Sequence, residues 1–182
     1  MNFCICLNCA SNVFTSCTVR PDPLAMRSRR CPLMTSGLVR SFGVIDVAAK
    51  TTRFFDTDTW RAGGEAHEYI PLFGWTPEKN GGSDVWIFRL NRDQNHLDVL
   101  YGDPATMAVS TVLSETSNTW LDVETGFSDL DVGALTYLRD GAHFIWVSER
   151  GGYRHLYLYK NDGTLVRQLV TEDRVPDDVR IS

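Results

Sequence analysis

From Leu38 to Val170 the apolar positions recur with a period of two, in short runs separated by polar turns. A strand turns alternate side chains to the same face, so this pattern predicts β-strands and not helices. Leu38–Val47 and Thr52–Phe55 read as a hairpin around Ala48-Ala49-Lys50, and Tyr69–Trp75 as a third strand. Val85–Tyr101 (VWIFRLNRDQNHLDVLY) and His143–Tyr159 (HFIWVSERGGYRHLYLY) align without a gap at an offset of 58, Tyr101 falling on Tyr159. Each is an alternating run, a polar turn and a second alternating run, which predicts two antiparallel hairpins of one design that superpose in neighbouring units. Leu135–Leu138 precedes the second hairpin and Leu165–Val170 follows it. Asn80-Gly81, Asp140-Gly141 and Asp162-Gly163 supply the positive φ angles that tight turns need. No amphipathic helix is evident, and beyond residue 37 the longest stretch without a predicted strand is Glu124–Gly133.

A lone hairpin cannot cover both of its faces, so a repeated one implies stacked sheets. The expected fold is all-β, a partial β-propeller of antiparallel blades. A ring needs about 4–8 blades of roughly 40–50 residues each. Residues 38–182, 145 in number, supply enough for about three. Such an arc has open flanks, so it is expected to be a piece of a longer propeller.

Composition sets the first 37 residues apart as an irregular leader, disordered or arising from a misassigned start. All five cysteines (Cys4, Cys6, Cys9, Cys17, Cys31) lie in it, and all five tryptophans (Trp60, Trp75, Trp86, Trp120, Trp146) lie after it. Residues 1–40 carry five arginines against Asp22, a net of +4, whereas the remaining 13 Lys and Arg oppose 22 Asp and Glu, a net of −9. Asn2, Asn8 and Asn12 interrupt the start and no basic residues open it, which argues against a secretory signal. Pro21, Pro23 and Pro32 disfavour regular structure there, and the basic stretch Arg27-Ser28-Arg29-Arg30 reads as a solvated run. Cys4-x-Cys6 and Cys6-x-x-Cys9 lack the second, well-spaced ligand pair of a zinc site. The body, residues 38–182, has no apolar run of about 18 residues or more, so no membrane span is expected of it, and its acidity argues against nucleic acid as a partner. The lack of cysteine after Cys31 suits a reducing compartment, the cytoplasm first.

Glu149-Arg150-Gly151-Gly152-Tyr153-Arg154-His155-Leu156-Tyr157-Leu158-Tyr159, followed by Asp162-Gly163 and Arg167-Gln168-Leu169, resembles the signature blade of dipeptidyl peptidase IV-type serine peptidases of the prolyl oligopeptidase clan. Phe73-Gly74-Trp75-Thr76-Pro77, Arg89–Asn95, Leu97-Asp98, Asp103-Pro104-Ala105-Thr106 and Glu115–Trp120 resemble the same family in its order, so the resemblance covers about residues 37–171. It implies an eight-bladed N-terminal propeller, a following α/β-hydrolase domain as partner, peptide substrates that lose an N-terminal dipeptide after proline or alanine, and a homodimer. The chain departs from the family where chemistry is concerned. It contains no Gly-x-Ser-x-Gly elbow for a nucleophile and no Glu-Glu dipeptide, which in the family anchors the substrate amine. The stretch Leu121–Phe127, where some relatives line the substrate pocket, does not reproduce their residues.

No residue is therefore assigned a catalytic, cofactor-binding or metal-binding role, and no cofactor is expected. His155 reads as a structural strand residue, since no serine elbow is available to it. Glu65-Ala66-His67-Glu68 lacks the His-Glu-x-x-His spacing of a zinc protease and reads as a polar loop. Asn91-Arg92-Asp93-Gln94 reads as a polar turn whose charges solvate it or pair between blades, and the tryptophans as anchors of blade cores. Two functions of different class follow. One is a fragment of the substrate-gating propeller of a serine-type dipeptidyl peptidase, inactive alone; the alternative is a non-enzymatic propeller that acts through protein contacts.

Overall fold

A computed structural model describes residues 3–9, 12–14, 39–46, 48–56, 67–79, 82–123 and 134–170. The strands among them form three antiparallel sheets, and the sheets do not close on themselves. The first sheet contains β1 (Phe3–Cys9), β2 (Asn12–Phe14), β3 (Val39–Asp46) and β4 (Thr51–Phe54), in the order β2-β1-β3-β4. The second runs outward from β5 (His67–Tyr69) and β6 (Phe73–Trp75), which both pair with β7 (Val85–Asn91), to β8 (His96–Gly102) and β9 (Val109–Thr116). The third is the meander β10 (Leu135–Tyr137), β11 (His143–Ser148), β12 (His155–Lys160) and β13 (Leu165–Gln168).

The second sheet is covered on both faces. Val85, Ile87 and Leu100 pack with Phe42 and Val44 of the first sheet and with Phe55 just after β4, while Phe88, Leu90, Leu97 and Val99 pack with Phe144, Trp146, Tyr157 and Tyr159 of the third. The rings of Phe88 and Trp146 meet edge to face at 5.5 Å between centroids. Double coverage explains why β7 opens with four consecutive apolar residues, Val85 to Phe88: an outward polar face has no solvent to meet there. Close approach of the sheets is set at two glycines. A Cβ on Gly102 would lie 2.7 Å from the Phe55 ring, and one on Gly163 (φ +87°) would collide with the Val112 carbonyl.

Both repeated segments fold as hairpins in neighbouring sheets, but their residue correspondence is not the gapless one. Phe88 donates its N–H to Leu72 (2.9 Å) and Val147 donates to Ala134 (3.1 Å); Thr76 donates to Asp84 (2.9 Å) and Leu138 to His143 (2.9 Å). These bonds match across the two sheets only if Phe88 corresponds to Val147 and Asp84 to His143, an offset of 59. The registers Ile87↔Leu100 and Trp146↔Tyr157 then put the returning strands at 57. A slip of one residue exchanges the faces. In the true phase Ile87 and Trp146 both face the preceding sheet, so the sheets stack in one sense, as propeller blades do.

Three further expectations are corrected or bounded. The strand expected over Tyr69–Trp75 is split, because Pro71 has no N–H and the chain regains β7 only at Phe73. The irregular leader contains two strands: Phe3, Ile5 and Leu7 stand in register opposite Asp46, Val44 and Phe42, where β1 satisfies the open backbone edge of β3. The rest of residues 1–37, with Asn80-Gly81 and Glu124–Gly133, lies outside the described residues. Gly141 (φ 65°) and Gly163 (φ 87°) take the left-handed conformation expected of the Asp-Gly turns.

Candidate functional site

The chemistry-bearing side chains gather where the β7–β8 and β11–β12 turns lie. On the face toward the first sheet, Arg89 and Asp98 are direct cross-strand partners, Nε lying 3.1 Å and Nη2 2.5 Å from Asp98 Oδ2. Ser114 donates to Oδ1 at 2.5 Å and His96 Nε2 lies 3.3 Å from the same oxygen. Burial alone would raise the Asp98 carboxyl, but the hydrogen bonds from Ser114 and Arg89 and the charges of Arg89 and His96 outweigh it and hold the group below its ordinary pKa.

Between the second and third sheets the centre is Glu115 on β9. Trp146 Nε1 donates to its Oε2 at 2.6 Å, Ser148 Oγ donates to its Oε1 at 2.6 Å, and Arg150 Nη2 donates to Oε2 at 3.3 Å. Arg150 also donates to Ser148 Oγ (2.9 Å) and the Tyr159 hydroxyl (2.8 Å), and its guanidinium lies 4.3 Å from the centroid of the Tyr157 ring. Further out, Arg154 joins Asp122 (3.0 Å) to Glu149 (3.1 Å), and the Leu121 N–H donates to Gln94 O at 2.6 Å. The two turns and the stretch after β9 are thereby tied into one rim. At the other end of the sheets, the Tyr137 hydroxyl donates to that of Tyr101 at 2.8 Å, and burial pushes the Tyr101 phenol up to about 12.

Glu115, Ser148 and His155 are the residue types of a hydrolytic triad, yet they are only 8%, 3% and 4% exposed, so no substrate carbonyl reaches them. The Ser148 hydroxyl points its proton at Glu115. This cluster is a latch between sheets. The shifted phase shows Ser148–His155 to be the counterpart of Arg89–Asp98: the second and third sheets each carry a polar pair at the same level on the face toward the preceding sheet.

Of Glu65-Ala66-His67-Glu68, the last two residues lie in β5 and the first two fall outside the described residues. In the turn Asn91-Arg92-Asp93-Gln94 the organising residue is Asn91, whose Oδ1 accepts from the N–H groups of Asn95 and His96, both at 3.0 Å, while Gln94 takes φ 55°. Trp75, Trp86 and Trp146 pack in or against the two cores as expected. Trp120 does not: it is 64% exposed on the irregular rim after β9, and Tyr153 on the same rim is 48% exposed. Trp60 lies outside the described residues, as do Cys17 and Cys31. Among the described residues no group of three or more His, Cys, Asp or Glu is placed to hold a metal ion. Sequence reasoning missed Glu115 and Arg150. Nothing local to either residue signals the contact, which joins β9 to the β11–β12 turn 35 residues later.

The family model for the dipeptidyl peptidase IV (DPP IV) N-terminal region matches residues 39–176. Among solved structures, the crystal structure of Porphyromonas gingivalis dipeptidyl peptidase 4 is similar at 25% sequence identity and a TM-score of 0.59, over 76% of this chain. The match spans 17% of the length of that protein.

Proposed function

Since the chain belongs to the dipeptidyl peptidase IV N-terminal family, we propose that it is a section of the propeller that gates substrate entry in a serine-type dipeptidyl peptidase. In this reading peptides lose an N-terminal dipeptide after proline or alanine, the bond is cut in an α/β-hydrolase domain outside this chain, and the whole protein is a homodimer. The observation that carries the proposal is the far face of the third sheet. Ile145, Val147, Leu156 and Leu158 lie on it, Ile145 and Leu156 buried and the other two partly so. In the phase set by the backbone bonds they correspond to Trp86, Phe88, Val99 and Tyr101, the side chains of the second sheet that the third sheet covers. Apolar residues at the positions by which the second sheet meets its successor support a further sheet, stacked in the same sense, and repetition carries the arc toward a ring.

A ring screens by size: an extended peptide passes its channel and a folded protein does not. Screening needs stiff walls, and the Glu115 latch, with two hydrogen bonds of 2.6 Å between adjacent sheets, supplies stiffness and no chemistry. The test is the full-length gene product assayed with Gly-Pro and Ala-Pro p-nitroanilides. Hydrolysis that a serine-directed phosphonate abolishes supports the proposal. A full-length product with no hydrolase domain and no such activity overturns it in favour of a protein-contact module.

A further inference from the structure

We draw no further inference here: the strongest candidate, the exposed aromatic rim formed by Trp120 and Tyr153 beside the Arg154–Asp122 ion pair, carries nothing because nothing in the structure shows what covers it.

Discussion

Replacing Glu115 by alanine should loosen the second sheet from the third. The substitution leaves the Trp146 Nε1 and Ser148 Oγ donors without their acceptor in a place where both residues are buried. Each stranded buried donor costs about 1–3 kcal/mol. The Arg150 contact is longer, at 3.3 Å, and that side chain is 35% exposed, so solvent screens it and it adds little. The expected loss is about 2–6 kcal/mol, against a typical domain stability of about 5–15 kcal/mol. For a chain of this size the melting temperature should fall by about 4–24 °C. Glu115→Gln keeps one acceptor oxygen and should lose about half as much. Urea and thermal unfolding of the purified chain, followed by tryptophan fluorescence, measure both. An alanine variant within about 0.5 kcal/mol of the parent would refute the latch, since that is the range of an ordinary surface substitution.

Gly163→Ala should destabilise more than Gly141→Ala: both glycines have positive φ, but only at Gly163 does a Cβ meet backbone, the Val112 carbonyl. Equal melting temperatures for the two variants would contradict the close approach. Because the Asp98 carboxyl titrates below its ordinary value when folded, the stability it contributes is complete above the ordinary value of 3.8 and is lost as pH falls through the depressed one. Acid titrations monitored by circular dichroism should therefore show a shallower decline in Asp98→Asn than in the parent; superimposable curves would remove Asp98 from the account. The chain by itself should not cleave Gly-Pro or Ala-Pro p-nitroanilide, because it has no Gly-x-Ser-x-Gly nucleophile. Phosphonate-sensitive activity that copurifies with it would contradict that.

The all-β fold and the hairpins were legible because alternation and Gly-containing turns are local signals. The phase of the repeat was not. In β7 both faces are buried, so apolar residues fill the successive positions Val85, Trp86, Ile87 and Phe88, and a slip of one residue leaves the pattern looking intact. The backbone bonds that join Phe88 to Leu72 and Val147 to Ala134, with those of Thr76 to Asp84 and Leu138 to His143, fix it. The β1 strand was missed for a related reason: Phe3, Ile5 and Leu7 alternate, but Cys4 and Cys6 between them are themselves apolar and Asn8 breaks the run, so partner pairing decides the conformation. Glu115 was hidden because a single carboxylate in a strand says nothing about what reaches it from a sheet 31–35 residues later. Exposed Trp120 shows the opposite limit, a large aromatic read as a core anchor although it follows the end of its strand.

On the proposed reading these sheets are consecutive blades of a larger ring, and the structure of the full-length gene product decides whether they are. That structure should show a further four-stranded antiparallel sheet seated on Ile145, Val147, Leu156 and Leu158, stacked on the third sheet as the third is stacked on the second. A helix, a loop or bulk solvent against those four side chains would contradict it.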